Sequence, residues 1–210
     1  MTSSIVVVSA GLSQPSSTRL LADRLAAAAG ADLRTRGRTV EFETIELRDH
    51  AQDLVNHLLT GFPSPHLRET IEHVLGADGL IAVTPIFNAS FSGLFKLFFD
   101  VLERDSLAGL PVLIGATGGT ARHSLALEHA VRPMFAYLDA AVAATAVYAA
   151  AEDWGQDAAG IDVDLVDRIE RAAREFAHGV ETRDRPARTD PFADPIPFDD
   201  LLRTLSDRPN

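Results

Sequence analysis

The sequence contains no cysteine among its 210 residues. This absence excludes disulfides, thiolate-ligated zinc, cysteine-ligated iron–sulfur clusters and a cysteine nucleophile. The seven histidines also lack the HxxxH and HExxH spacings of common metal sites. We therefore expect neither a metal site nor cysteine chemistry.

Long apolar runs and clustered positive charge are also missing. No run approaches the roughly 20 residues of a membrane-spanning helix, and residues 5–8 form an apolar strand pattern with no basic leader before it. The formal net charge is −11, and no stripe of lysine and arginine would attract nucleic acid. These features predict a cytoplasmic globular protein that binds neither membranes nor nucleic acid.

Strand and helix patterns alternate along most of the chain. Short apolar runs predict strands at residues 6–9, 39–47, 79–84, 110–115 and 141–148. Helical spacing predicts the main helices at residues 17–29, 65–75, 91–103, 121–137 and 162–178, the first ended by Gly30 and the last by Gly179. This α/β alternation predicts a three-layer sandwich, in which helices cover both faces of a parallel sheet. Five strands favour the flavodoxin-like order 2-1-3-4-5 over a six-stranded dinucleotide fold.

The composition changes near residue 181, where proline, aspartate and arginine become frequent. We expect one domain at residues 1–180 and a weakly structured arm at residues 181–210, with one amphipathic piece around residues 198–205. Such an arm packs on a neighbouring subunit or stays disordered.

The loop after the first predicted strand is rich in hydroxyl groups. In an open parallel sheet, ligands bind beyond the carboxyl ends of the strands, near the switch point between strands 1 and 3. Free N–H groups, the helix dipole and hydroxyl donors together predict an anion site here, and an ordinary helix cap is an equal alternative. The loop matches neither the Walker pattern nor GxGxxG. Its candidate binding residues are Ser9, Gly11, Leu12, Ser13, Ser16, Ser17 and Thr18.

The loop after the third strand combines a rigid proline with a ring and an amide. Pro85 fixes the backbone and removes an N–H, Phe87 offers an aromatic ring, and Asn88 offers a donor and an acceptor. We take Pro85, Ile86, Phe87 and Asn88 as candidate ligand contacts. The alternative is a capped turn that leads phenylalanines into the core.

The loop after the fourth strand carries a glycine pair. Gly118 and Gly119 permit a close backbone approach or a positive φ, and their N–H groups could meet ligand carbonyls. We include Thr117 with them as a candidate contact, and a simple tight turn is the alternative. One anion loop, one aromatic loop and one glycine loop at the same sheet edge suit a mononucleotide with a flat ring.

At these three loops the sequence resembles the NADPH-dependent FMN reductases of flavodoxin-like fold, over about residues 4–178. The family pattern T-P-x-Y-N-G-S-x-P-G-x-L-K-N-x-x-D is matched in register by Thr84, Pro85, Asn88, Ser90, Gly93, Lys96 and Asp100. The chain departs from it at Phe87 (usually Tyr), Ala89 (Gly), Ser92 (Pro) and Leu97 (Asn), and from the first loop at Thr18 (often Asn). Ser13 stands where many members carry a phosphate-binding arginine, and Arg19 is a candidate replacement.

The resemblance implies that FMN and NADPH, or NADH, bind at these loops and that hydride passes from nicotinamide to flavin. The cofactor then supplies the chemistry, and we expect no catalytic acid or base from the chain. Backbone N–H groups near Asn88 and Gly118 would stabilise negative charge on the flavin. The first loop is most similar to the actinobacterial reductases associated with luciferase-like flavin monooxygenases. The resemblance also implies a homodimer or a homotetramer.

Other functions on the same fold stay open from sequence. One is a quinone, azo or chromate-type reductase that retains its FMN. Another is a non-enzymatic electron carrier like flavodoxin, and a weaker one is a phosphosugar- or nucleoside-binding protein. The phenylalanine run at residues 91–99 predicts core packing on one helix face, with Phe99 turned away and available for a subunit interface.

Overall fold

Strands and helices alternate around one sheet. The computed structural model describes residues 2–155 and 162–183. The strands are β1 (Thr2–Ser9), β2 (Thr39–Glu46), β3 (Gly79–Phe87), β4 (Ser90–Phe91), β5 (Pro111–Gly118), β6 (Ala141–Val142) and β7 (Val147–Ala150). The helices are α1 (Ser17–Thr35), α2 (Ala51–Thr60), α3 (Pro65–Gly76), α4 (Gly93–Asp100), α5 (Arg132–Tyr137) and α6 (Val163–Thr182). The predicted arm lies outside the described residues from position 184 onward.

The sheet confirms the predicted flavodoxin-like order. Its main path is β2-β1-β3-β5-β6, and β1 pairs in parallel with β2 and with β3. The position in the sheet beside β5 is occupied by two short strands. Strand β6 pairs with the start of β5, and β7 pairs with its end. A short antiparallel strand, β4, pairs with the end of β3. The sheet therefore has the five parallel strand positions that the sequence predicts. The last of them is divided between β6 and β7.

The break between β6 and β7 has specific partners. The guanidinium of Arg132 donates to the carbonyls of Ala143 and Ala144, each at 2.9 Å. The carboxylate of Glu175 accepts from the backbone N–H of Thr145 at 2.6 Å and from its hydroxyl at 2.7 Å. The carbonyls of Ala143 and Ala144 and the N–H of Thr145 thus form hydrogen bonds with side chains. The predicted continuous strand at residues 141–148 is therefore wrong.

Helices cover both faces of the sheet, as the strand pattern predicts. Alternate residues of a strand point to opposite faces. Ile5 and Val7 therefore join a core cluster with α1 and α6, whereas Val6 and Val8 join a second cluster with α4. All four side chains are buried, so both layers contribute to one three-layer domain.

Gly30 does not end α1, and the prediction that it does is wrong. The helix continues to Thr35, and Gly30 lies against β2, where a Cβ would come within 2.8 Å of the Phe42 ring. Helix α6 likewise passes through Gly179 to Thr182. Gly30 therefore serves close packing of a helix on a strand, a role that a local pattern cannot separate from a helix stop.

The predicted helix at residues 121–137 is also wrong as one element. It divides into a 3₁₀ turn at Ala121–His123, a π-helical segment at Leu127–Val131, and α5. Pro133 lies in the first turn of α5 and has no N–H to donate to the preceding turn. An unbroken α-helical ladder therefore cannot pass through this point.

Phe99 is buried rather than turned away, which corrects the expectation for α4. Phe95 and Phe99 are four residues apart and share one helix face, with ring centroids 4.9 Å apart. Phe99 also lies 4.8 Å from Phe135 and 5.2 Å from Phe98. The aromatic run is thus explained by the core.

Candidate functional site

A cavity of about 520 Å³ opens at the carboxyl ends of β1, β3, β5 and β7. This volume lies within the range of small-molecule sites, roughly 300–1,000 Å³. The cavity is lined by Leu12, Ser13, Ser16, Ser17, Thr18, Pro85, Ile86, Phe87, Thr117, Gly118, Gly119, Ala151 and Trp154. The three loops selected from sequence therefore meet at one place.

The first loop brings the start of α1 to the cavity. Ser16 is the N-cap, and its hydroxyl accepts from the backbone N–H of Arg19 at 3.2 Å. Gly11 packs beneath this cap, because a Cβ there would overlap with the Ser16 hydroxyl. Ser13 and Ser17 remain exposed on the cavity side. The partial positive charge of a 19-residue helix and two free hydroxyls thus face the same space.

A buried hydrogen bond joins the first loop to the end of β5. The hydroxyls of Thr18 and Thr117 are 2.8 Å apart, and both side chains are buried. Either hydroxyl can donate, so each of the two buried side chains has a hydrogen-bond partner inside the protein. This contact links the start of α1 directly to the end of β5.

The aromatic loop is a tight hairpin. Strand β3 runs to Phe87, which pairs with Ser90 of β4. Asn88 (φ 50°) and Ala89 (φ 68°) form the two-residue turn between them. Both have a positive φ, which the common type I′ turn of two-residue hairpins requires. The Phe87 ring is 47% exposed and lines the cavity. Asn88 therefore forms part of the turn, and its contact with a ligand stays a prediction.

Gly118 is explained by the neighbouring tyrosine. A Cβ on Gly118 would overlap with the Tyr148 hydroxyl and lie 3.1 Å from its Cζ. That hydroxyl donates to the carbonyl of Thr120 at 2.8 Å. Burial, helped by Asp153 and Glu152, raises the pKa of Tyr148, so the phenol stays a neutral donor. The φ of Gly118 lies outside the left-handed region, so the backbone conformation does not require glycine here. Glycine is needed because a Cβ would overlap with Tyr148.

Three of the fourteen predicted residues do not line the cavity. The Ser9 side chain is fully buried, and its hydroxyl has no hydrogen-bond partner within the described part of the chain. Gly11 lies beneath Ser16, and Asn88 is exposed in its turn. The other eleven surround the cavity, and their contacts with a ligand stay a prediction.

Arg19 does not face the cavity. Its guanidinium binds the carboxylates of Asp23 at 2.7 Å and Glu46 at 2.8 Å. Hydrogen bonds to these two acids raise the pKa of Arg19 above its ordinary value. Among the described residues, the cavity lining carries no charged side chain at all.

Sequence reasoning missed Ala151 and Trp154. Both follow β7, in and just after a 3₁₀ turn at Ala151–Asp153. Their place in the sequence could have indicated them. Both residues come shortly after the fifth predicted strand, and the carboxyl end of that strand lies at the same edge of the sheet as the three selected loops.

Two kinds of feature are absent over residues 2–155 and 162–183. No group of three or more histidine, aspartate or glutamate side chains is arranged to hold a metal ion. No helix in these ranges is long and apolar enough to cross a membrane.

Comparisons with known proteins agree with this geometry. The family model for NADPH-dependent FMN reductase matches residues 3–155. The FMN reductase (NADPH) of Pseudomonas aeruginosa is 35% identical, covering 71% of this chain and 78% of its own length. An NADH-dependent FMN reductase of Pseudomonas putida is 33% identical, covering 72% and 80%. An oxidoreductase from Corynebacterium diphtheriae, solved by X-ray, has a TM-score of 0.82 at 42% identity, covering 87% of this chain and 98% of that chain. The chain belongs to the NADPH-dependent FMN reductase family.

Proposed function

We propose that this protein catalyses the reduction of FMN by NAD(P)H. The observation that carries the proposal is that one cavity joins the hydroxyl-rich start of α1 to an apolar, aromatic wall. A phosphate suits the first end, and a flat ring suits the second. Family membership and relatives named as FMN reductases support the same reaction.

The residues around the cavity fit FMN. The backbone N–H groups at the start of α1, with Ser13 and Ser17, would hold its phosphate. Pro85, Ile86 and Phe87 would hold the ring on one side, and the loop from Thr117 to Gly119 would meet its polar edge. Bound FMN supplies a ring that accepts hydride from the nicotinamide.

The chain itself contributes binding and charge stabilisation. Backbone N–H groups near Gly118 and Gly119 would donate to negative charge that develops at the ring edge. The Thr18–Thr117 hydrogen bond keeps this loop in register with the phosphate loop. Within the described lining no side chain titrates near neutrality, so no residue is assigned as a general acid or base.

The direct test is FMN-dependent oxidation of nicotinamide nucleotide. Purified protein is mixed with NADPH, and separately with NADH, and absorbance is followed at the nicotinamide band with and without FMN. We expect oxidation that requires both FMN and protein. No oxidation with either nucleotide would contradict the proposal. The relatives' names include both nucleotides, so the assay also gives the preference.

We further propose that FMN leaves after reduction and supplies a luciferase-like flavin monooxygenase. The uncharged lining of the described cavity supports this, because none of the side chains that line it is a cation that would hold the phosphate tightly. The alternative is a reductase that keeps its FMN and reduces quinones. Gel filtration of the FMN-loaded protein separates the two: we expect colourless protein, and retained yellow colour would favour the alternative.

We also propose that the protein forms a homodimer or a homotetramer. We place it in the cytoplasm, where NAD(P)H is produced. Several large apolar side chains are exposed on one chain, which supports association. They include Leu58, Leu59, Phe62 and Tyr137. Light scattering of the purified protein should give a mass of two or four chains, and a monomer would contradict it.

A further inference from the structure

Trp154 lines the cavity, and the proposed reaction as described gives it no role. It is the only tryptophan of the chain. Its side chain is half-buried, packs against the core cluster beneath α1 and α6, and forms part of the cavity wall. The side chain thus lies between core and cavity, with part of its surface left exposed.

The turn that carries Trp154 is anchored on both sides. The Asp153 carboxylate accepts from the backbone N–H of Ala150 at 2.8 Å and lies 3.5 Å from the Arg168 guanidinium. Arg168 also donates to the carbonyl of Tyr148 at 2.8 Å. These contacts attach the turn to α6 and to β7. The backbone that carries the indole is therefore held by the protein itself.

The order of the strands places Trp154 at one end of the cavity. Along the carboxyl edge the sequence of strands is β1, β3, β5 and then β7. With neighbouring strands about 4.8 Å apart, the end of β7 lies roughly 14 Å from the end of β1. The phosphate end is at α1, directly after β1. Trp154 is thus at the far end, with the loops of Phe87 and Gly118 between.

Resting on the proposed FMN reductase function, we propose that the indole of Trp154 contacts the isoalloxazine ring and sets the affinity for the flavin. A flavin that places its phosphate at α1 extends along the edge toward β7. The indole then meets the ring and not the phosphate. This contact is independent of the phosphate, so it acts equally on FMN and on riboflavin.

The kinetic test uses Trp154→Ala and Trp154→Phe with FMN and with riboflavin. Loss of an aromatic contact should raise the KM of both flavins by the same factor, about tenfold, with kcat at saturating flavin unchanged. Trp154→Phe should recover most of the affinity. An unchanged KM for both flavins, or a change for FMN alone, would overturn the proposal.

A matched control replaces an exposed apolar side chain that neither lines the cavity nor belongs to the side chains proposed for subunit association. Val163 is the first residue of α6 and is 72% exposed, so Val163→Ala should leave both KM values unchanged. A similar rise in the control would show that the effect of Trp154→Ala is general, and that outcome also counts against the proposal.

A binding measurement tests the contact without turnover. An indole in contact with an excited flavin quenches its emission by electron transfer, whereas a phenyl ring does not. Titration of riboflavin with wild-type protein should therefore lower flavin emission more than titration with Trp154→Phe, at equal saturation. Equal quenching would overturn the contact, and this arm remains decisive if Trp154→Ala does not fold.

The two proposals fail in different ways. If wild-type protein binds flavin but shows no FMN-dependent oxidation, the proposed reaction is wrong while the titration still tests Trp154. If wild-type protein reduces FMN and the Trp154 variants match it in both assays, the reaction stands and the role of Trp154 is wrong.

Discussion

The two edges of the sheet are built differently. At the amino edge, charged side chains join the ends of α1 and α6 to the sheet. Arg36 binds Asp32 at 2.6 Å and Glu181 at 2.8 Å, and Arg38 donates to the carbonyl of Glu181 and to the hydroxyl of Ser3. At the carboxyl edge Arg19 and Glu46 also form an ion pair, but it lies outside the cavity. The described cavity lining is uncharged, and its loops present hydroxyls, backbone N–H groups and a half-exposed Phe87.

This difference separates stability from function. Ion pairs among side chains satisfy one another at the amino edge, so that edge has little left to offer a ligand. At the carboxyl edge the helix terminus and the strand ends keep donors that a ligand can use. Ligand binding at that edge is the general behaviour of open parallel sheets. Substitutions at the amino edge should accordingly change only the free energy of unfolding, whereas substitutions in the cavity lining should also change the flavin KM.

Gly118→Ala should have the largest effect. Its Cβ would overlap with the hydroxyl of buried Tyr148, and overpacking of this kind lowers the free energy of unfolding by about 3 kcal/mol. The flavin KM should also rise, since Gly118 lines the cavity. Urea unfolding and steady-state kinetics measure the two effects. In a Tyr148→Phe background the same substitution should cost much less, and an equal cost would refute the steric explanation.

Thr117→Val should come next. It leaves the buried hydroxyl of Thr18 without its partner, which costs about 2 kcal/mol of unfolding free energy. The double variant Thr18→Val/Thr117→Val should cost less than the sum of the single variants, because neither hydroxyl is then left unpaired. Strictly additive costs in urea unfolding would show that the two hydroxyls are not coupled.

Arg36→Met tests the amino edge. Removing two partly exposed ion pairs should lower the free energy of unfolding by about 1 kcal/mol, and added salt should reduce the difference. The KM for FMN should stay at the wild-type value. A rise in KM comparable to that of Gly118→Ala would break the separation between the two edges.

Ala89→Gly should have the smallest effect and the opposite sign. Ala89 has a φ of 68°, which strains any residue with a Cβ. Glycine should raise the free energy of unfolding by about 0.5 kcal/mol, after its own entropy cost is included. As the control, Ala27→Gly, at an exposed position inside α1, should lower it by about 1 kcal/mol. Destabilisation by both substitutions in urea unfolding would contradict the strain at Ala89.

The sequence predicts the sheet well because its strands are continuous apolar runs between polar loops. The runs at β1, β3 and β5 are buried on both faces, so their pattern does not depend on distant partners. The loops after them follow from topology alone, and eleven of fourteen predicted site residues accordingly surround the cavity.

The misses have tertiary causes. Gly30 resembles a helix stop, but its reason is the Phe42 ring on another element. The split between β6 and β7 depends on Arg132 and Glu175, which lie on two different helices. Trp154 belongs to the site only because β7 lies beside β5. None of these partners is adjacent in sequence.

The most direct measurement of the central claim is flavin affinity of Ser17→Asp. Ser17 lines the phosphate end at the first residue of α1, where an acidic side chain favours the helix and does not threaten folding. A like charge beside the phosphate should weaken FMN binding about tenfold or more, while riboflavin binding stays near wild type. The neutral variant Ser17→Asn, whose amide can still donate to the phosphate, should lose much less FMN affinity than Ser17→Asp. Equal affinities of Ser17→Asp and wild type for FMN, or an equal loss for both flavins, would contradict a phosphate at this end of the cavity.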